Sequence, residues 1–181
     1  MINFNQKNKA MRFFKFLCLT LLLTSCGVMV NYDYEKTTDF SKYKTYNYYS
    51  DLQTGLSELD TKRLLRVLDE ELLNKGFKRS DYADFMINVT SAEFEDLNRN
   101  TVGVGVGGTG RNVGGGISIG IPVGNSKTNR EIVFEFVDAQ TNNLFWQAVS
   151  ESNYNSNTSP EKREAKLLAV VNKVLEGYPP K

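Results

Sequence analysis

The sequence contains no histidine among its 181 residues and only two cysteines. Histidine is the commonest general base of enzymes and the commonest protein ligand of metal ions. Its absence excludes Ser-His-Asp triads, Cys-His nucleophiles and metal centres built on imidazole. The chain also lacks the G-x-x-x-x-G-K-[ST] sequence of phosphate-binding loops, so a P-loop nucleotide site is excluded as well.

Acidic residues are missing from the first 25 positions, where basic residues precede a short apolar run over residues 16–23. This order is typical of a secretory signal peptide, and the run is shorter than the roughly 20 apolar residues that cross a bilayer. The sequence therefore predicts a signal peptide over residues 1–25 and a mature domain over residues 26–181. Met1 and Met11 both stay open as the start of translation, because Met11 directly precedes the densest part of the pattern.

The residues that follow the apolar run, Leu23-Thr24-Ser25-Cys26, are similar to the lipobox of bacterial lipoproteins. The similarity implies cleavage before Cys26 and attachment of fatty acyl chains such as palmitate to Cys26, which is the predicted lipidation site. Two or more acyl chains hold a protein stably on a membrane. Gly27 follows instead of the aspartate that retains some lipoproteins in the inner membrane, which implies the periplasmic side of the outer membrane. The alternative is an ordinary signal peptide with a chance cysteine.

Removal of this leader changes the charge and the thiol content of the protein. The leader carries four basic residues, so the mature chain has 18 basic and 21 acidic residues, a net charge of −3. It therefore lacks the positive surplus on which nucleic-acid binding depends. Cys18 leaves with the leader and Cys26 carries lipid, so no thiol is left for a disulfide, a metal ion or nucleophilic catalysis.

Hydrophobic periodicity predicts five strands and two helices in the mature domain. Alternation with a period of two predicts strands over residues 28–34, 43–49, 84–94, 131–139 and 144–152. If the second and third strands are neighbours, the helix between them makes a right-handed crossover and the two strands run parallel. The predicted fold class is α+β: a mixed β-sheet with two helices packed on one face, plus a glycine-rich β-hairpin extension.

Both predicted helices have recognisable ends and an apolar face. Ser57 and Asp60 begin the first with the spacing of a capping box, and Gly76 ends it; Ser159 is predicted to cap the second, whose first residue is Pro160. The predicted apolar faces are Leu64, Leu65, Leu68 and Leu72 in the first helix and Ala165, Leu168, Val171 and Leu175, flanked by Leu167 and Val174, in the second.

Ten of the fourteen glycines fall in an insertion over residues 103–124, which includes a G-x-G-x-x-G match at Gly105, Gly107 and Gly110. A dinucleotide site needs a helix directly after this motif, whereas more glycines follow here. We therefore expect no nucleotide ligand. Alternating valines and isoleucines predict a hairpin with one apolar and one bare face, either a weakly ordered extension or an arm that docks on a partner.

Four stretches of the mature chain resemble the bacterial lipoproteins that share the domain of unknown function DUF4136. They are residues 39–49 (DFSKYKTYNYY), 71–89, 134–148 and the last helix with its terminal YPP. The resemblance implies the lipobox, the fold and the glycine-rich interruption before the last hairpin. It implies no established activity, so no catalytic residue and no cofactor is carried over.

Several polar and aromatic residues in these stretches have structural interpretations. Trp146 follows the hairpin turn and is predicted to fill the core. Asp138 and Thr141 flank that turn, where we expect their side chains to satisfy backbone amides. Asp39 and Ser41 are expected to do the same before the second strand.

Paired carboxylates are the remaining means of catalysis. Asp69, Glu70 and Glu71 lie on the first helix, where we expect a solvated face. Glu93, Glu95 and Asp96 form the second group, in which Glu93 and Glu95 share one side of a strand. Such a pair can hold a cation or cleave glycosides. The nine tyrosines, many of them in residues 32–49, are interpreted either as a carbohydrate-binding surface or as cover for a half-exposed sheet.

The preferred hypothesis is a membrane-anchored envelope lipoprotein that is not an enzyme and binds or supports another envelope component, either a protein or peptidoglycan. The first alternative is a carboxylate-dependent hydrolase acting on envelope glycans. The second is a carrier that holds a small ligand on the open face of the sheet. We predict no catalytic, cofactor-binding or metal-binding residues.

Overall fold

The computed structural model describes residues 27–95, 101–104, 119–122 and 128–180. For residues 101–104 and 119–122 it describes only the backbone. The elements, in chain order, are β1 Val28–Tyr34, β2 Thr45–Tyr48, α1 Glu58–Asn74, β3 Lys78–Arg79, β4 Phe85–Glu95, β5 Thr101–Val104, β6 Ile119–Pro122, β7 Thr128–Asp138, β8 Leu144–Tyr154 and α2 Pro160–Leu175, with a 3-10 turn at Phe40–Lys42.

Six strands form one mixed sheet in the order β1-β8-β7-β4-β2-β3. The parallel pairing of β2 with β4 across the α1 crossover confirms the predicted topology, and β4, β7, β8 and β1 pair antiparallel. The edge strand β3 was not predicted because it has only two residues. It runs parallel to β2, and the amide of Lys78 donates to the carbonyl of Lys44 at 3.0 Å.

The predicted helix ends are confirmed, with one difference. The Ser57 side chain accepts a hydrogen bond from the Asp60 amide at 3.3 Å, and Gly76 has the positive φ of 91° that ends a helix. Ser159 occupies the cap position of α2 and Pro160 begins that helix, but the Ser159 side chain accepts no capping bond from the backbone.

The apolar face of α2 is rotated from the predicted one. Leu167, Val170, Val171, Val174 and Leu175 are buried, whereas the predicted Ala165 is exposed. The physical reason is that α2 packs against α1, β1 and β8 at once. Three neighbours bury a wider face than the single stripe read from the period, and that face is centred on Val170 and Val174.

The core lies between the helices and the inward face of the sheet. The two helices contact each other, and their buried leucines and valines form one cluster with the inward side chains of β2, β4, β7 and β8. Trp146 is completely buried, as predicted, and its ring lies 4.6 Å from that of Phe136 and 5.1 Å from that of Tyr178. The predicted α+β fold, with both helices on one face of the sheet, is therefore confirmed.

The glycine-rich segment contributes one short strand pair to the described residues. β5 pairs antiparallel with β6, and Gly103 lies opposite Gly120. Residues 105–118, which would join the two strands, lie outside the described residues, so the predicted hairpin stays a prediction. The segment leaves the sheet after Glu95 and returns at Thr128, two residues that are paired with each other.

The first residue of β1 and both ends of the glycine-rich segment lie at one end of the sheet, which we call the proximal end. It is the end at which β1 and β7 begin and β4 and β8 finish, because Val28 pairs with Ser152, and Thr128 pairs with both Glu95 and Tyr154. None of the described helices is long and apolar enough to cross a membrane.

Candidate binding site

A pocket of about 270 Å³ opens at the proximal end, between the first turn of α2, the beginning of β7 and the end of β8. Its apolar lining comes from Ile132, Leu167 and Val170, and its polar lining includes side chains of the loop between β8 and α2. The charged lining residues are one acid and four bases, namely Asp60, Arg130, Lys162, Arg163 and Lys166. We call this cavity the basic pocket.

Asp60 is the buried anion of the site, with a side chain only 2% exposed. Its carboxylate lies 2.7 Å from Nη1 of Arg63, 3.2 Å from Nη1 of Arg163 and 4.0 Å from Nη1 of Arg130. These arginines come from α1, α2 and β7. A buried charge needs such partners, and this one has more positive than negative charge around it.

Arg130 is the most deeply placed base, with a side chain 9% exposed on the inward face of β7. Its Nη2 donates to Oε1 of Glu93 at 2.7 Å, and its guanidinium lies 3.5 Å from the ring centre of Tyr154. Its Nε is buried and has no partner among the described residues. Because buried polar nitrogens are nearly always hydrogen-bonded, this atom marks a donor whose acceptor is missing.

Arg163 has a different role, because all three of its nitrogens are engaged. Nε donates to the carbonyl of Thr158 at 3.0 Å, Nη2 donates to the carbonyl of Ser156, and Nη1 donates to Asp60. Arg163 therefore fixes the loop before α2 and the wall of the pocket. Arg130, whose Nε has no partner among the described residues, and Lys162 are the bases from which we expect contact with a ligand.

The basic pocket is suited to holding an anion. Guanidinium and ammonium groups form charge-assisted hydrogen bonds with phosphate and carboxylate groups, and the apolar floor can take the carbon atoms attached to such a group. Among the described residues no group of three or more acidic side chains is arranged to hold a metal ion.

The profile of the family described as Domain of unknown function (DUF4136) matches residues 30–180. The chain belongs to the DUF4136 family. The match spans both helices and all of the sheet except the first two residues of β1, so every residue of the basic pocket lies inside the DUF4136 domain. No curated protein matches the chain.

Two solved structures are similar to this DUF4136 protein. A PDZ domain protein from Parabacteroides distasonis has 14% identity and a TM-score of 0.54; the match covers 85% of this chain but only 36% of that one. The PelC dodecamer from Paraburkholderia phytofirmans has 13% identity and a TM-score of 0.49, with 82% of this chain and 94% of that one covered. The first similarity supports the fold and carries no information about a ligand.

Glu93 and Glu95, the two carboxylates that the sequence offered as a catalytic pair, both lie near the end of β4. Glu93 is engaged with Arg130, so as a general acid it would have to give up an ion pair of 2.7 Å. It therefore serves to hold Arg130 in the DUF4136 domain. Cys26, the predicted lipidation site, lies outside the described residues.

Among the acids of α1, Glu70 is exposed as expected, whereas Asp69 differs from the sequence-based expectation. Asp69, expected on a solvated face, accepts hydrogen bonds from the hydroxyls of Tyr46 at 2.8 Å and Tyr48 at 2.7 Å. Burial, and then these bonds to Asp69, raise the pKa of both tyrosines. Tyr43, Tyr46 and Tyr48 are core residues, so they are not available to a carbohydrate-binding surface.

Sequence reasoning missed Arg130, although one signal was present. Arg130 continues the inward alternation of Ile132, Phe134 and Phe136 along β7. A basic residue in an otherwise apolar inward row indicates a buried charge, and charged side chains are rarely buried unless they are paired. The predicted strand began at residue 131 and therefore left Arg130 outside the alternating row.

Proposed function

We propose that this protein is a lipid-anchored, non-catalytic binding module of the bacterial cell envelope and that it binds an anionic group in the basic pocket. The observation that carries the proposal is Arg130, a buried guanidinium whose Nε has no acceptor in the part of the chain that the structure describes, beside a cavity lined there by four bases and one acid. An incoming anion would balance this surplus.

The anchor is proposed from the lipobox-like residues that end at Cys26. Acyl chains on Cys26 would hold the domain at the bilayer with Gly27 as the only residue between the lipid-bearing cysteine and β1. Gly27 in place of an aspartate favours the periplasmic side of the outer membrane. The same position makes an envelope protein or peptidoglycan an accessible partner.

Binding is favoured over catalysis by the state of the charged groups. Glu93 pairs with Arg130, and Asp60 lies among three arginines. Arg163 donates hydrogen bonds to carbonyl groups of the loop before α2. Charged groups engaged in such contacts stabilise the pocket wall and are poorly placed to exchange protons with a substrate.

The anchor is tested on the protein purified from membranes. We expect the N-terminal peptide of the wild type to begin at Cys26 and its mass to show acyl chains on that residue, and we expect Cys26→Ser to yield no acylated peptide. A wild-type protein that retains residues 1–25 or carries no acyl mass would contradict the anchor.

The non-catalytic role is tested against the hydrolase alternative with purified peptidoglycan fragments. We expect no turnover by the wild-type protein. Turnover that is lost in a Glu93→Gln/Glu95→Gln double variant would establish the hydrolase, whereas turnover that survives in this variant would exclude that pair and still reject the binding module.

A further inference from the structure

The register of the sheet places the basic pocket beside the point where the chain leaves for Cys26. Val28 of β1 lies opposite Ser152 of β8, Ser152 lies opposite Arg130 of β7, and Arg130 lies opposite Glu93 of β4. These four residues form one row across the proximal end. Arg130 is therefore two strand positions from the first residue of β1.

Covalent geometry then sets the distance between the pocket and the proposed anchor. Two residues of extended chain, from Cys26 to Val28, span at most about 7 Å, and two strand spacings add about 10 Å. The lipid-bearing sulfur and Arg130 are thus less than about 20 Å apart. An acylated Cys26 would therefore keep the pocket within reach of lipid headgroups at the membrane surface.

Both helices direct their positive ends toward the same place. Asp60 is in the first turn of α1, and Lys162 and Arg163 are in the first turn of α2; Asp60 and Arg163 meet at 3.2 Å. Helix N-termini favour anions. At the proximal end this field adds to the charges of Arg130, Lys162 and Lys166.

We infer that the basic pocket binds the phosphate of an anionic lipid headgroup in the membrane that carries the acylated Cys26. This inference rests on the proposed anchor. Arg130 and Lys162 contact the phosphate, and the floor formed by Ile132, Leu167 and Val170 takes the carbon atoms next to it. The headgroup would then fix the orientation of the domain, because one flexible residue, Gly27, cannot do so.

A purely structural role of the bases, neutralising Asp60, is the competing explanation. It accounts for Arg63 and Arg163, which lie closest to Asp60. It does not account for Nε of Arg130, which has no partner among the described residues although Nη2 pairs with Glu93 at 2.7 Å, or for Lys162 on the pocket wall. These two residues are the ones to change.

The experiment uses the acylated protein purified from membranes in a neutral detergent. Native mass spectrometry counts bound dihexanoyl-phosphatidylglycerol, which is anionic, against dihexanoyl-phosphatidylcholine, which has no net charge, and inorganic phosphate is added in a third arm. Lys162→Glu and Arg130→Gln are compared with Lys36→Glu. Lys36 is exposed in the turn after β1, at the opposite end of the sheet, and its variant changes the net charge as much as Lys162→Glu does.

We expect phosphatidylglycerol to be retained over phosphatidylcholine, with about tenfold weaker retention in Arg130→Gln, where a charged donor is lost, and about fivefold weaker retention in Lys162→Glu. Lys36→Glu should retain the lipid as the wild type does. Because Lys162 is exposed, its variant tests the inference even if Arg130→Gln fails to fold.

Five results would overturn the inference. Equal retention of both lipids, or equal losses in Lys162→Glu and Lys36→Glu, would show that the pocket does not select the headgroup. Inorganic phosphate that binds as tightly as phosphatidylglycerol would make the ligand a free anion, and the proposed anion-binding function would stand. A wild-type protein that binds no anion, or that lacks acyl chains, would reject the proposed function itself.

Discussion

The hydroxyl of Tyr43 donates a hydrogen bond of 2.9 Å to Oδ2 of Asp138, which ties the residue that follows the 3-10 turn to the turn between β7 and β8. The same oxygen accepts from Nζ of Lys42 at 2.9 Å, while Oδ1 accepts from the amides of Gln140 and Thr141 at 2.9 Å each. The predicted turn role of Asp138 is thereby confirmed, and a long-range role is added. These bonds hold the pKa of Asp138 well below its ordinary value.

The first prediction concerns the acid dependence of this contact. A lowered pKa in the folded state means that the contribution of Asp138 to stability is complete above its ordinary value of 3.8 and is lost as the pH falls below it. Asp138→Asn should therefore lower the free energy of unfolding by about 2 kcal/mol near neutral pH. The difference from wild type should shrink toward about pH 2, measured by urea unfolding at several pH values. The exposed Asp81→Asn is the control, and a difference that is independent of pH would contradict this reading.

The second prediction concerns Tyr178, whose ring is in the core and whose buried hydroxyl has no partner among the described residues. Burial raises the pKa of this hydroxyl, so it stays neutral. Tyr178→Phe keeps the ring and removes an unsatisfied group, so thermal or urea unfolding should show unchanged stability or a gain of about 1 kcal/mol. Tyr48→Phe is the matched variant and should lose about 1 kcal/mol, because the Tyr48 hydroxyl donates to Asp69. Equal losses in both variants would mean that Tyr178 has a partner.

Local patterns in the sequence were sufficient for the fold and insufficient for the site. Phe85, Ile87 and Val89 alternate in sequence and are all buried in β4, and the crossover rule gave the parallel pairing. Asp60 illustrates the limit. Its capping position was predicted from its spacing to Ser57, but its contacts with Arg130 and Arg163 join three elements far apart in the chain. No local period encodes such contacts, because they depend on how whole elements pack.

The third prediction concerns Gly55, which precedes α1 with a positive φ of 72°. A Cβ placed there would lie 2.7 Å from the backbone oxygen of Ser91, whereas a Cβ at Gly76, with φ of 91°, would meet nothing within 4 Å. Gly76→Ala should cost about 1 kcal/mol for backbone conformation alone. Gly55→Ala should cost more, about 2 kcal/mol or above, because the clash adds to that cost. Chemical denaturation of both variants measures these losses of stability. Equal losses would show that the loop before α1 moves to relieve the clash.

The last prediction concerns the glycine-rich segment. β4 and β7 pair continuously from Phe85 with Asp138 to Glu95 with Thr128, so the sheet is complete without the residues between them. Replacing residues 103–124 by a short Gly-Ser linker should therefore leave the unfolding temperature within a few degrees of wild type. If the segment is an arm that docks on a partner, cross-linking in intact cells should capture an envelope protein with the wild type and lose it with the deletion.

The segment leaves the sheet at the proximal end, close to the basic pocket. Phosphatidylglycerol retention by the deletion variant therefore shows whether the pocket or the segment binds the headgroup. Retention that survives the deletion places headgroup binding in the basic pocket, and retention that disappears assigns it to the segment.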